Sequence, residues 1–473
     1  MSARFARALA AATMCSFALA ASSAADEMLH VGFGETDISP DVGGERPVWI
    51  AGYGQNRKAA GVHDPLFARA VVLFDGKTKI ALVSVDLVGM QYPDVKRIRA
   101  KLPEIDYVMV SSSHNHEGPD VIGLWGPSPV ASGVDPEYVT RVVERSAAAV
   151  LQADENLAPA RASYGTAEDN TLLRDSRQPI VYDGVLRALR FTRSEDDATL
   201  GLLVQWNCHP ESLGSRNKQI SADFPYATVA ALRRQYNCPV AYFTGTVGGL
   251  LTPPDEGIRD GQGNPLATGT FEYADAYGLA VANLASRAVE AAEPIEMAPL
   301  RFAAKPVSMP LENPGYHLAR TVGLLPREAH VWTGDLETIG PPVGEKTPTD
   351  KVAIVTEVAY LRLGDLHVAC IPGEIYPELV YGQYQQPVDP GADFPDAPLE
   401  RSVKDILPGD KMMLFGLAND EIGYIIPLRQ WDHQPPYAYG RQKSQYGEVN
   451  SCGPQIAPLV MKSLENRVQE LGP

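Results

Sequence analysis

Along the chain, short runs rich in β-branched residues alternate with a few longer stretches of helical periodicity. Phe67 to Phe74, Lys79 to Asp86, Tyr107 to Ser112, Gly184 to Phe191, Gly201 to Trp206, Val240 to Phe243, Val355 to Leu363, Leu366 to Ile371 and Met412 to Leu417 have the length and composition of strands. Pro136 to Gln152, Phe224 to Gln235, Phe271 to Ala291 and Pro454 to Leu471 read as helices. In the last of these, Ile456, Leu459, Val460, Leu464, Val468 and Leu471 form one apolar stripe, and Pro454 stands near the first turn. The pattern predicts a layered α/β fold. Asn313 to Lys351 and Gln386 to Asp410 break the pattern with Pro, Gly and charge. Excursions of that length suit rims or lids over a site. No internal repeat and no dividing linker is visible, so residues 26–473 are expected to form one large domain.

The first 25 residues fall outside this scheme. Arg4 and Arg7 precede an apolar run from Ala8 to Ala20 and the small residues Ala21 to Ala25. That layout predicts a cleaved secretory signal, and the run is shorter than the ~20 residues a spanning helix needs. The mature protein is expected to be soluble and either secreted or periplasmic, with no lipid anchor, since Ala12-Thr13-Met14 before Cys15 makes a poor lipoprotein box. The formal charge of −17 becomes more negative once the two arginines leave with the signal. Such a field repels nucleic acid and anionic surfaces and excludes both as partners. Four cysteines remain, Cys208, Cys238, Cys370 and Cys452, too few for a disulfide framework. With 45% hydrophobic residues, a core must hold the fold, with room for one or two bridges.

Candidate chemistry centres on Ser111 to Asp120, S-S-S-H-N-H-E-G-P-D, directly after the apolar run Tyr107 to Val110. Alternation along a strand aims His114 and His116 the same way, and Gly118-Pro119 ends regular structure behind them. An H-x-H at a strand end is a metal-ligand signal, because neutral imidazole suits zinc and related ions. It is equally a strand end with two ordinary histidines. Three other strand ends carry suitable groups: His209 after Gly201 to Trp206, Glu374 in Pro372-Gly373-Glu374, and Tyr424 beyond Met412 to Leu417. Singly, each has a plain structural reading; together they can meet at one edge of an α/β protein.

These residues match a known family in order along nearly the whole mature chain. Gly32 to Pro40 and Ala51-Gly52-Tyr53 resemble the opening of the neutral ceramidases, and Ser84 to Leu87 with Ser113 to Pro119 resembles their V-S-A-D and T-H-T-H-S-G-P pair. Cys208 to Ser212, Ser221 to Asp223 and Tyr226-Ala227 resemble the V-H-G-T-S and S-x-D-x-x-x-Y-A block; Pro372 to Glu374, Gly423 to Ile425, Tyr446 to Glu448 and Cys452 to Pro454 echo the later elements. The resemblance implies a zinc amidase that cleaves an N-acyl bond in a small or lipid-like substrate, as in lipid metabolism. It implies zinc held by His114, His209, Glu374 and Tyr424, with His116 moving protons, Tyr446 in the catalytic group, and Arg174 or Arg177 positioning substrate. Asp86 and Asp223 are expected to orient the histidine ligands from behind. The fold implied is a single layered mixed-sheet catalytic domain, without the family's C-terminal immunoglobulin-like domain.

The chain departs from the family at the nucleophile. Where the family has a serine in G-D-V-S-P, this sequence has Gly245-Thr246-Val247-Gly248-Gly249-Leu250-Leu251-Thr252-Pro253, lacking the aspartate and carrying an extra residue. Thr252 is either the attacking hydroxyl or a structural threonine, in which case water attacks directly. The alternatives to an amidase are a zinc esterase or lactonase using water, and a non-catalytic binding protein on the same scaffold. Metallo-β-lactamases share H-x-H, but their next ligands, Asp then His, do not fall at Glu117 and Asp120.

Overall fold

The computed structural model describes residues 28–472, so the expected signal segment lies outside the described residues. Two large sheets form the centre. The first has the spatial order Val240–Thr244, Thr199–Trp206, Val185–Arg193, Ala158–Glu168, His30–Asp37, Phe67–Phe74, Lys79–Val85, Tyr107–Ser112, with Glu293–Ile295 added on Ala158–Glu168. The second runs Leu300–Pro310, Val352–Leu363, Leu366–Cys370, Met412–Phe415, with Ala329–Val331 on Val352–Leu363.

The two sheets pack face to face, with helices outside. Alternation along single strands shows this directly. Val71 and Leu73, Ile80 and Leu82, and Tyr107 and Met109 share one buried cluster with Ala359, Leu361, Val368 and Phe415 of the second sheet. Their neighbours Ala70, Val72, Ala81, Val83, Val108 and Val110 point the other way, onto helices Tyr92–Arg99 and Pro136–Glu155. Helices Phe224–Tyr236 and Phe271–Glu290 cover the other half of the first sheet. Ile456–Leu471 covers the second sheet. Rings close the middle, Phe243 against Phe415 at 4.6 Å and Tyr107 stacked on Phe302 at 4.9 Å. Strands buried on both faces lose polar alternation, which is why they read as continuous apolar runs. All four predicted helices and all nine predicted strands are present, with ends shifted by a few residues.

The strands missed by pattern have physical reasons. His30–Asp37 contains Gly32 and Gly34, which weaken a strand signal. A Cβ at these positions would lie 1.9 Å from the Ala153 carbonyl oxygen and 2.1 Å from that of Ala149, so glycine is what lets helix Pro136–Glu155 pack onto the strand. Ala158–Glu168 is half exposed and polar. Of the two excursions, the first holds helix Pro314–Thr321 and does border a cavity, whereas the second contributes no side chain to it. All four cysteines are buried and free.

Only three pairs in the two sheets are parallel: Lys79–Val85 with Tyr107–Ser112, Thr199–Trp206 with Val240–Thr244, and Leu366–Cys370 with Met412–Phe415. Parallel neighbours end at the same edge, and the chain leaving these ends builds the site.

Candidate metal centre

His114 follows Ser112 by two residues and adopts φ 65°, a left-handed backbone rarely taken by a residue with a side chain. Its Nδ1 donates to the Val88 carbonyl at 2.6 Å, which leaves the Nε2 lone pair facing the cavity. His209, three residues past Trp206, repeats the device: Nδ1 donates to the Leu251 carbonyl at 2.9 Å. Leu251 follows Leu250, which is also left-handed (φ 64°). From the second sheet, Glu374 pairs with Tyr424 in a two-residue parallel ladder, so their side chains stand side by side. The edges of the two sheets are tied by Ser111 Oγ donating to the Gly416 carbonyl and by Thr244 Oγ1 donating to that of Ser113.

These groups converge. Glu374 Oε2 lies 2.9 Å from His209 Nε2 and 3.4 Å from His114 Nε2. His116 Nε2 is 3.3 Å from His114 Nε2, and all three imidazoles offer nitrogens within 4.8 Å of one another. With both Nδ1 protons committed to carbonyls, neutral His114 and His209 present lone pairs to a carboxylate. Acceptor faces acceptor, an arrangement that repels unless a cation or an added proton lies between. Burial alone would raise the Glu374 carboxyl, but the His114 and His209 imidazoles outweigh it and hold the group well below the usual carboxylate range. His209 is drawn upward against its burial by Glu374. Two imidazoles and a carboxylate with a buried phenol alongside are a donor set that suits zinc.

His116 sits differently. Burial and the neighbouring His114 and His209 push it well below its ordinary value, so it is neutral and free to take a proton. Its Nδ1 has no hydrogen-bond partner and stands 3.6 Å from Glu211 Oε2; Tyr53 packs edge-on against its ring and donates to the same Glu211 carboxylate at 3.1 Å. A Cβ at Gly52 would fall 2.4 Å from the ring, so only glycine leaves room for it. The loop is clamped by Arg57, buried, which bonds Glu117 Oε2 at 2.6 Å and the His116 carbonyl at 3.1 Å.

Above the imidazoles opens a cavity of about 800 Å³, walled by apolar groups including Val88, Ile122, Leu311, Leu324 and Ile354. Thr252, Arg174, Tyr424 and Tyr446 border it. Thr252 Oγ1 accepts from Arg174 Nε at 3.2 Å, and its own proton has only the Pro253 carbonyl, at 3.4 Å. Arg174 also pairs with Asp255. The Tyr446 ring lies edge-on to Tyr424, and burial with the Glu374 charge pushes its phenol up to about 12.

Residues 29–237 match the family model described as neutral/alkaline non-lysosomal ceramidase, N-terminal. That match places the chain in the neutral/alkaline ceramidase family. The fold agrees with two solved ceramidases. Neutral ceramidase from Pseudomonas aeruginosa aligns with TM-score 0.69 and 17% identity over 93% of this chain and 74% of its own. A structure described as ceramidase complexed with C2 aligns with TM-score 0.66 and 16% identity over the same shares. No curated protein matches the sequence.

Within this ceramidase-type fold, His114, His116, His209, Glu374, Tyr424, Thr252, Arg174 and Tyr446 all border one cavity. Three expectations need correction. Arg177 is buried away from the cavity in a bidentate pair with Glu448, at 2.7 and 3.0 Å, and is structural. Asp86 pairs with Arg69 and accepts from the Phe67 amide. Asp223 bonds Ser212 and caps helix Phe224–Tyr236. Neither aspartate touches a histidine ring; the backbone carbonyls of Val88 and Leu251 do that work, and a carbonyl leaves no mark in a sequence. Glu211 and Tyr53 were visible within motifs but carried no assigned role. Glu421 was missed altogether: one carboxylate oxygen accepts from the Gly423 amide at 2.7 Å, the other is buried without a partner, and burial next to Glu374 raises the group well above the usual range.

Proposed function

We propose that this protein is an exported, zinc-dependent amidase that hydrolyses the N-acyl bond of an amphiphilic, ceramide-like substrate. The observation that carries it is the carboxylate of Glu374 set against the inward lone pairs of His209 and His114, at 2.9 and 3.4 Å, beneath an apolar cavity of about 800 Å³. Family and fold support the amide-hydrolase part of this reading; zinc, export and the single mature unit 26–473 are the finer part. His114, His209, Glu374 and Tyr424 would hold the zinc, which when bound supplies a Lewis acid that polarises a carbonyl oxygen or acidifies water.

The side chains supply the rest. His116, neutral and with one unpartnered nitrogen, accepts the proton of the attacking group and returns it to the leaving amine. Glu211, aimed at Nδ1, stabilises the imidazolium while it carries that proton. Arg174 and Tyr446 flank the scissile bond, and the apolar wall takes the acyl chain. Water is the attacking group: Thr252 has an arginine donor on its oxygen and no carboxylate or imidazole to take its proton. That same feature favours one second reading, an esterase or lactonase, since water serves O-acyl bonds equally.

Metal analysis of the purified mature protein, followed by paired N-acyl and O-acyl chromogenic substrates, tests this. Expected are near-stoichiometric zinc, N-acyl cleavage, loss on chelation and recovery with added zinc. Cleavage of O-acyl substrates alone selects the esterase; bound metal with no turnover of either selects a binding protein.

A further inference from the structure

Among the described residues, fourteen large hydrophobic side chains are exposed, and five of them border this one cavity: Val130, Leu318, Val322, Tyr446 and Val449. Scattered exposed apolar residues are normal, but concentration around one opening is not. Val130 is 72% exposed, Leu318 63%, Val449 51% and Val322 47%, so these groups face solvent at the mouth and do not form its wall. They come from three separate stretches of chain. Leu318 and Val322 are four residues apart across the end of helix Pro314–Thr321, joined by the Val322 amide donating to the Leu318 carbonyl at 2.9 Å, and so share one face. That helix buries only Ala319 fully, and Asn313 pins its start through the amides of Gly315 and Tyr316. Its outward face is therefore apolar although nothing in the fold covers it.

We propose that this rim docks the protein on the surface of a zwitterionic bilayer, so that an amphiphile passes from the lipid into the cavity without crossing water. The inference rests on reading the cavity as an acyl-chain site. Continuity carries the choice of partner. One amphiphile fills the cavity but leaves Val130, Leu318 and Val322 wet, and only a surface wider than the mouth covers all three stretches at once. Burying such side chains at a lipid interface is what holds peripheral helices there. Charge selects the lipid: with a net charge of −17, the chain is repelled by anionic surfaces, so a zwitterionic one fits.

The test separates docking from chemistry. Sedimentation with phosphatidylcholine vesicles reads the rim, and hydrolysis of a short-chain, monomeric N-acyl substrate reads the active centre. For the double variant Leu318→Asp with Val322→Asp, vesicle binding and hydrolysis of vesicle-borne substrate should each fall about 10-fold or more. Hydrolysis of the monomeric substrate should stay within about twofold, showing that the variant is folded. Replacing a third of the phosphatidylcholine with phosphatidylglycerol should weaken wild-type binding. Unchanged vesicle binding by the variant overturns the proposal. So does a wild-type dimer in solution that the two aspartates dissociate, which would make a second copy the cover. If no N-acyl substrate is cut but vesicle binding still depends on Leu318 and Val322, docking stands and the amidase reading fails.

Discussion

The imidazole–carboxylate centre and the Thr252 corner lie in the same cavity and are built on opposite principles. At the centre, His114 and His209 are locked by backbone carbonyls, His114 in a costly left-handed conformation, and their lone pairs are aimed at Glu374. Everything there waits for positive charge. At the corner, Thr252 lies in a two-residue ladder with Arg174, and its hydroxyl oxygen is already satisfied by that arginine. Nothing there waits for a proton to leave. The difference teaches that an invested site shows itself by groups held in unfavourable company, whereas a side chain whose bonding is complete gives no reason to assign it chemistry.

The sharpest way to break the comparison is to remove the centre. Glu374→Gln or His209→Ala should cost about 10³-fold or more in kcat/KM, beyond the loss of a single preorganised polar donor, and metal content should fall with it. Full metal retention and activity in either variant would abolish the contrast. Next is His116→Ala, expected to lower kcat by about 10²–10⁴-fold, the usual worth of a general acid–base, while bound metal stays unchanged. Thr252→Val tests the corner itself: folding and metal should be normal and kcat should fall by less than about tenfold, because catalytic nucleophiles cost far more when removed. An acyl adduct on Thr252 seen by mass spectrometry during turnover would reverse the assignment.

The smallest effect sharpens the electrostatic side. Glu378 is buried four residues from Glu374, yet burial pushes it up to about 7, since one carboxylate oxygen has no partner and no imidazole offsets the loss of water. A folded value above the ordinary 4.5 means that the native state holds the proton longer than the unfolded one. Stability from this group is therefore complete below about pH 4.5, declines as pH rises through 7, and is flat above that. Glu378→Gln should be neutral at pH 4.5 and stabilise by roughly 1–3 kcal/mol at pH 8, read as a smaller drop in melting temperature between the two. An equal drop in wild type and variant would show that Glu378 is not protonated in the fold.

Periodicity and composition alone determined the layered α/β class, the thirteen predicted elements and the strand-end positions of His114, His209 and Glu374. They could do so because burial on both faces and alternation are local properties, written in consecutive residues. Ordered motifs added the family. What they could not determine lies in contacts between residues distant in sequence. That Glu374 and Tyr424 are ladder partners, that carbonyls of Val88 and Leu251 set the imidazole tautomers, and that Asp86 and Asp223 are spent on Arg69 and a helix cap were decided only when the two sheets met. Arg177 and Arg174 look alike in sequence, three residues apart, but one is sealed against Glu448 and the other borders the cavity. The apolar rim was hidden for the same reason: Val130, Leu318 and Val449 are ordinary loop or helix residues until the fold places them around one opening. Side-chain burial is a property of the packed whole, and no local pattern encodes which face of a short helix the rest of the chain leaves bare.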